Sequence, residues 1–367
     1  METTNLSTEL LQPKQELLKS KQHFEILDGL RGVAALAIVV FHFMEMAIPV
    51  NKNFIAHGFL AVDFFFCLSG FVIGYAYDDR IKKMGVMEFF KSRLIRLQPL
   101  VILGTLLGLL AFLFDPFSGQ AETYSAGKIF LIFLSSILLI PFPVMEERAF
   151  NNFGLNAPAW SLYWEYVANI VYAFGLYKIG KYLLVSLTII SAVLLCYIGY
   201  RAGGTTGGWA GENFWEGGVR ILYSFLAGLL IYRANLIIKS KLGFAGLSVL
   251  LVIAFLVPYN ESSWVTQLLT VLFYFPLLVA LGAGARVSQG LKKLCEFSGR
   301  ISYPLYMTHY MAIWVFYNYY NTYKPETPLL TLIIIIGTLL LLGFAYLVMV
   351  FYDEPIRKYL NDKRKKG

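Results

Sequence analysis

Long apolar runs separated by short polar connections are the dominant pattern of this chain. Each run is close to the roughly 20 residues of helix that cross the hydrocarbon core of a bilayer. Eleven such runs lie at 33–50, 58–77, 99–114, 127–143, 158–177, 182–200, 217–233, 243–258, 264–283, 301–320 and 329–351. The pattern predicts an all-α fold, a polytopic bundle of membrane helices.

The positions of Lys and Arg indicate which connections face the cytoplasm. Most of the 31 basic residues cluster in 14–31, 80–96, 178–181, 233–241, 286–300 and 357–366. All of these clusters share one side of the membrane only if the segment 127–143 does not cross it. The charge pattern therefore predicts ten transmembrane helices plus one re-entrant or interfacial segment, with both termini in the cytoplasm.

The composition agrees with a membrane protein. Of the 367 residues, 57% are hydrophobic and 15% are charged, against roughly 25% charged in soluble domains. We predict a cytoplasmic tail over 1–23, one membrane domain over 24–356 and a basic cytoplasmic tail over 357–367. The net charge of +8 is explained by this topology and does not indicate nucleic-acid binding. The three cysteines lack metal-ligand spacing, so no metal site is expected.

Four ionisable residues fall on one face of the first predicted membrane helix. At 100° per residue, Asp28, Arg31, His42 and Glu45 lie within a sector of about 100°. Such groups are costly inside a bilayer, where they face partners or water. The helix rises about 16 Å between the arginine and the histidine, which places them near the cytoplasmic surface and the bilayer midplane.

The second apolar run and the basic loop that follows it add three candidates. Asp63 enters its span from the outer surface, where it can pair with a neighbouring helix or orient the histidine. Arg93 and Arg96 are i, i+3 neighbours that suit phosphate oxygens. Anchoring by positive charge on the cytoplasmic side explains the two arginines equally well.

Three later spans also carry ionisable residues. Glu165, which follows Trp160 and Ser161 in its helix, is expected about 10 Å below the outer face. A buried glutamate needs a partner, and Arg220 is a candidate because it enters its own span from the outer side. His309 is expected either to hydrogen-bond within the bundle or to act in catalysis.

Several short motifs carry a resemblance to a known family. They are Leu27–Gly32 with His42, Gly58–Gly70 with Asp63, Arg93–Arg96, Pro158–Leu162 with Glu165, Ile301–Tyr303 with His309, and Glu354–Pro355. In this order they resemble the acyltransferase 3 family, membrane O-acyltransferases that modify bacterial surface carbohydrates. The resemblance covers about residues 24–360, with one departure: Ser92 stands where the family often has an arginine.

The resemblance implies acyl transfer from cytoplasmic acyl-CoA, expected to be acetyl-CoA, to a hydroxyl of a cell-surface or exported carbohydrate. Arg31, Arg93 and Arg96 are then expected to bind the donor, and His42 to take the hydroxyl proton. Asp63 and Glu45 are both available to orient the histidine. Residues expected on the acceptor side or in structural roles are Asp28, Trp160, Ser161, Glu165, Arg220 and His309.

The expected partners are acyl-CoA, a carbohydrate or lipid-linked glycan, and the lipids of the bacterial cytoplasmic membrane. No bound cofactor is implied. The chain is expected to act without the extracytoplasmic hydrolase-like domain that some members of the family append.

Two alternatives remain open at this point. A proton-coupled transporter or flippase also needs ionisable residues near the midplane of such a bundle. An enzyme of the same kind can instead act on the hydroxyl of a small molecule or a lipid. For the enzyme, we predict that His42 and Asp63 line one continuous polar cavity that reaches both sides of the membrane.

Overall fold

The computed structural model describes residues 24–366, and this part of the chain is helical and contains no β-strand. The predicted all-α fold is therefore confirmed, whereas the predicted tail over 1–23 lies outside the described residues. The longer helices are α1 (Glu25–Ala47), α2 (Ala61–Tyr77), α3 (Val86–Leu113), α4 (Ala126–Ile137), α5 (Ala159–Phe174), α6 (Lys181–Ala202), α7 (Phe214–Arg233), α8 (Gly243–Leu256), α9 (Ser263–Gly284), α10 (Gln289–Thr308), α11 (Tyr310–Tyr323), α12 (Thr327–Val348) and α13 (Glu354–Lys366).

Within residues 24–366, seven helical segments are long and apolar enough to cross a membrane. They are Glu25–Ala47, Gly58–Tyr77, Val86–Leu113, Lys181–Ala202, Phe214–Arg233, Ser263–Gly284 and Thr327–Arg364. The chain is thus a multi-pass membrane protein. The count of ten crossings and the cytoplasmic position of the termini stay predictions.

The segment 127–143 forms a hairpin beside α3. The last carbonyl of α4, that of Ile137, accepts a hydrogen bond of 2.7 Å from the Gln98 side chain, about 20 Å along α3 from Phe112. The chain turns at Leu139, whose φ is 54°, and runs back to the loop at 144–158. Since Tyr124, just before α4, contacts Phe112, the segment enters and leaves at the same end of the bundle. A re-entrant segment has this geometry.

Close contacts between two pairs of helices hold the bundle together. α1 packs along α10, and α2 packs along α7. The second pair meets at Gly70 and Gly228, where an added Cβ would collide with the backbone carbonyl oxygens of Phe225 and Cys67, respectively. Small residues allow such close approach of membrane helices. These contacts set the heights and rotations at which α1, α2 and α7 present their ionisable side chains.

The apolar run 301–320, predicted as one helix, is divided at His309 between α10 and α11. At this break, side chains donate hydrogen bonds to two backbone carbonyls that would accept from backbone N–H groups in a continuous helix. The Tyr306 carbonyl accepts from His309 Nδ1 at 2.8 Å, and the Met307 carbonyl accepts from Asn156 Nδ2 at 3.2 Å. The division places two aromatic residues, Tyr306 and Tyr310, against the centre of the bundle, where both are buried.

Candidate active site

A cavity of about 440 Å³ lies at the end of the bundle that holds the connections poor in Lys and Arg. We call it the dyad cavity because His42 and Glu45 line it together. Nδ1 of His42 donates to Oε2 of Glu45 at 2.9 Å. Of the two carboxylates expected to orient the histidine, Glu45 is therefore the one in contact. This leaves Nε2 of His42 as the nitrogen available to take a proton.

Aromatic rings hold the imidazole of His42 in place. It stacks on the ring of His309 at a centroid distance of 5.4 Å, and the Tyr310 ring meets it edge-on at 4.9 Å. His309 is fully buried, and its Nδ1 hydrogen points to the Leu305 and Tyr306 carbonyls. His309 thus hydrogen-bonds within the bundle and also contacts the candidate catalytic histidine.

Asp63 does not contact His42, contrary to the expectation that both line one cavity. Its oxygens accept from Arg220 Nε at 3.1 Å and from Nη2 at 2.6 Å, and its side chain is 0% exposed. Nη1 of Arg220 donates to the Gly207 carbonyl at 2.7 Å, which ties the loop 203–213 to the pair. Asp63 and Arg220 therefore form a buried structural pair, and only Arg220 reaches the wall of the dyad cavity.

A second, smaller cavity of about 130 Å³ lies toward the end rich in basic residues. We call it the arginine cavity because Arg31, Arg93 and Arg96 all line it, as the sequence predicts for a donor site. Arg31 is held on α10: its Nε donates to Ser302 Oγ at 2.9 Å and its Nη2 to the Gly299 carbonyl at 2.7 Å. Its Nη2 also lies 3.2 Å from Asp28 Oδ1.

Glu165 belongs to the arginine cavity, so its expected pairing with Arg220 is wrong. Its Oε1 accepts from Arg93 Nη2 at 2.6 Å and from Ser69 Oγ at 3.2 Å. Helix α5 thus brings Glu165 to the level of Arg93 on α3, and its depth below the outer face stays a prediction. Helix α5 itself is shorter than the predicted span.

Arg96 differs from the other two arginines. Among residues 24–364, whose side chains the structure describes, no carboxylate lies within ion-pair distance of it and no acceptor is hydrogen-bonded to it. The charged groups that interact with its guanidinium over longer distances include Arg31, Arg93, Arg357, Glu165 and Asp353. A cation that no described carboxylate pairs with directly is suited to an anionic ligand.

The two cavities are separate but share two lining residues, Val62 and Tyr306. The Tyr306 hydroxyl lies 2.8 Å from Ser161 Oγ, and its ring meets Phe65 edge-on at 5.6 Å. One continuous cavity was predicted, whereas the structure has two cavities that meet at these two residues. An acyl group that moves between the cavities has to pass Tyr306.

The other predicted residues divide between the two cavities. Trp160 lines the dyad cavity, whereas Asp28 and Ser161 line the arginine cavity. In the part of the chain that the structure describes, no three His, Cys, Asp or Glu side chains could hold a metal ion.

Sequence reasoning missed two residues of the cavity walls, Tyr306 and Arg148. Tyr306 lies between Ile301–Tyr303 and His309, and as an uncharged residue in an apolar run it does not stand out in the sequence. The sequence could have identified Arg148, because it and Lys128 are the only basic residues between 115 and 157, a segment predicted to lie on the outer side.

Comparisons with known proteins identify the family of the chain. The chain matches the model of an acyltransferase domain, the acyltransferase 3 family, over residues 24–349. It is 25% identical to the O-acetyltransferase OatA of Staphylococcus aureus over 375 aligned residues, covering 94% of this chain and 58% of OatA. It is 36% identical to a Rhizobium radiobacter protein named protein 2 in picA locus over 163 residues, 41% of this chain and 82% of that protein.

No solved structure matches the chain. The chain spans little more than half the length of OatA. The predicted enzyme class, an acyltransferase of the O-acetyltransferase type, is confirmed by the family model and by OatA. The chain belongs to the acyltransferase 3 family of membrane enzymes.

Proposed function

We propose that this protein transfers an acetyl group from cytoplasmic acetyl-CoA to a hydroxyl of an exported or cell-surface carbohydrate, in the bacterial cytoplasmic membrane. The observation that carries the proposal is the pair of cavities that meet at Val62 and Tyr306. One cavity holds an arginine, Arg96, that has no counter-ion among the described side chains. The other holds a histidine oriented by a carboxylate.

The arginine cavity is assigned to the donor because CoA carries phosphates. A guanidinium binds phosphate oxygens through two parallel hydrogen bonds. No described side chain engages Arg96, whereas Arg31 and Arg93 are engaged by Asp28 and Glu165. We therefore assign phosphate binding to Arg96 and assign to Arg31 and Arg93 the shape and positive potential of the cavity.

The dyad cavity is assigned to the chemistry. The acceptor hydroxyl oxygen attacks the thioester carbonyl carbon while Nε2 of His42 takes the hydroxyl proton, and Glu45 stabilises the imidazolium that forms. The carbon–sulfur bond then breaks, the ester is released, and the proton passes to the CoA thiolate. General-base assistance of this kind contributes about 10² to 10⁴ in rate.

The lining of the dyad cavity supports a carbohydrate as acceptor. The C–H faces of sugar rings pack on aromatic rings, and sugar hydroxyls need hydrogen-bonding side chains between those rings. The aromatic lining residues are Phe41, Phe59, Trp160, Trp209, Tyr259, Tyr306, Tyr310, Trp314 and Tyr317. Uncharged polar side chains between them are Asn53, Asn151 and Thr206.

The test is acetyl transfer by the purified protein in lipid vesicles, with acetyl-CoA labelled in the acetyl group and isolated bacterial glycans as acceptors. We expect label in the glycan together with release of the CoA thiol, and neither with His42→Ala. Label in lipid or in a small alcohol would move the acceptor to another class. Proton-driven solute movement without thiol release would contradict the enzyme and favour a carrier.

A further inference from the structure

Arg148 is a buried cation in the wall of the dyad cavity. It ends the short helical turn Glu146–Arg148 between α4 and α5, and 3% of the residue is exposed. Its guanidinium carbon lies 4.9 Å from the centroid of the Phe112 ring and 5.0 Å from that of Trp314. Its Nη1 donates to the Gly154 carbonyl. Two aromatic rings and one carbonyl thus fix the guanidinium in place.

No carboxylate lies within ion-pair distance of Arg148 among the residues whose side chains are described, 24–364. Burial lowers the pKa of Arg148 to about 10, against the attraction of Glu147 and Asp115. At neutral pH the side chain is still protonated. A buried arginine without a paired carboxylate is rare in proteins.

The other charged groups of the dyad cavity each have a side-chain partner. Glu45 accepts from His42, Glu147 accepts from the Tyr124 hydroxyl at 2.8 Å, and Arg220 pairs with Asp63. Among the described residues, Arg148 donates a hydrogen bond only to the Gly154 carbonyl, and a guanidinium has five N–H donors. The cavity wall therefore presents cationic donors that no described side chain satisfies.

We propose that Arg148 binds an anionic group on the acceptor, a carboxylate or a phosphate ester, so that the acceptor is an acidic glycan. This inference rests on the proposed function, because it places the acceptor in the dyad cavity. The anion accepts hydrogen bonds from the free edge of the guanidinium while a hydroxyl of the same glycan reaches His42. The contacts with the Phe112 and Trp314 rings orient the guanidinium in advance, so little side-chain entropy is lost when the anion binds.

Binding is tested without the donor, by the thermal stability of the purified protein in detergent. The probes are methyl glucoside, the uronic acid methyl glucuronide and glucose 6-phosphate, each at the same concentration. We expect the midpoint of unfolding to rise with one or both acidic probes and less with the neutral one. The acidic probe that raises the midpoint of unfolding, the uronic acid or the phosphate ester, identifies the anionic group.

Two matched variants locate the effect. Arg148→Met removes the charge and keeps the length of the side chain, and Lys128→Met removes the exposed cation nearby, which lies over the Tyr124 ring. We expect Arg148→Met to weaken binding of the acidic probe by about tenfold or more and to leave neutral-probe binding within about threefold. Lys128→Met should bind like the wild type. If Arg148→Met does not fold, Arg148→Lys is compared with the wild type instead. That variant keeps the charge and loses the paired N–H donors, so it should also bind the acidic probe more weakly.

Equal binding of acidic and neutral probes by the wild type would overturn the proposal. So would a weakening by Arg148→Met that is the same for all three probes, because that result indicates a structural role in the loop. Acetyl transfer is measured separately with acetyl-CoA. A wild type that transfers acetyl groups but does not prefer acids overturns this inference alone, whereas one that transfers none overturns the proposed function.

Discussion

His42 and Glu45 are joined by a hydrogen bond of 2.9 Å between Nδ1 and Oε2, one turn apart on the same helix. The pair leaves the other imidazole nitrogen to face the dyad cavity, and the carboxylate favours the imidazolium that forms during transfer. His42 also stacks on His309. The orientation of its ring is therefore fixed both by Glu45 on α1 and by a residue at the break between α10 and α11.

We expect His42→Ala to lower the rate of acetyl transfer by about 10² to 10⁴, because the base is lost. Glu45→Gln keeps the shape of the side chain and removes its charge, and we expect a smaller loss, about tenfold. The measurement is the initial rate of thiol release from acetyl-CoA in the presence of glycan. Thermal unfolding serves as the control and should change little, since both side chains face the cavity. Turnover near that of the wild type in His42→Ala would place the base elsewhere.

Arg96 and Arg93 should respond differently to truncation. Arg96 has no partner among the described residues, so Arg96→Ala should raise the KM for acetyl-CoA about tenfold and leave stability nearly unchanged. Arg93→Ala leaves Glu165 without its ion pair, and we expect a loss of about 1–3 kcal/mol in the free energy of unfolding. Adding Glu165→Gln should recover part of that loss. A KM for acetyl-CoA in Arg96→Ala equal to that of the wild type would contradict the assignment of phosphate binding to Arg96.

We expect the ion pair of Asp63 and Arg220 to stabilise the folded protein. Both side chains are almost fully buried, so removing one leaves the other charge unpaired, at a cost of about 3–5 kcal/mol. We expect Asp63→Asn and Arg220→Met each to lower the unfolding temperature strongly and the double variant to be more stable than either. If the loss of stability in the double variant equals the sum of the two single losses, the two side chains have no interaction energy and the pair does not couple the two helices.

Tyr306 should control what passes between the cavities. Tyr306→Phe keeps the ring and loses the hydrogen bonds of the hydroxyl to Ser161 and to the Pro158 carbonyl, so transfer should fall slightly. Tyr306→Ala opens the boundary between the cavities to water, and we expect more free acetate for each acetyl group transferred. The ratio of acetate to acylated glycan measures this. An unchanged ratio in Tyr306→Ala would mean that the acyl group does not pass this residue.

The topology predicts that the loop after α4 faces outward. Asn151 and Asn152 are buried, so the exposed Ala149 is the better position for a cysteine label. In a background without Cys67, Cys196 and Cys295, a cysteine at position 149 should react with an impermeant reagent added outside. A cysteine at exposed position 82 is the control and should react only from the cytoplasmic side. Labelling of position 149 from that side alone would mean that 127–143 crosses the membrane.

Local spacing explains how much of the site was predictable. His42 and Glu45 are three residues apart on one helix, so helical geometry alone brings them together. Arg93 and Arg96 share a helix and a cavity for the same reason. Arg31 lies on the same face of α1 as His42, eleven residues or about 16 Å away along the helix. The all-helical fold follows from apolar runs of membrane-spanning length.

The amino-acid sequence by itself determined which residues are ionisable, which helix carries each, and which end of that helix each lies near. Only the tertiary structure decided the pairs between helices: Glu165 with Arg93, Asp63 with Arg220, and Tyr306 between the two cavities. Such pairs depend on the rotation and height of one helix against another. Contacts such as those at Gly70 and Gly228 set these quantities, and they join residues far apart in the chain, beyond the reach of any local periodicity.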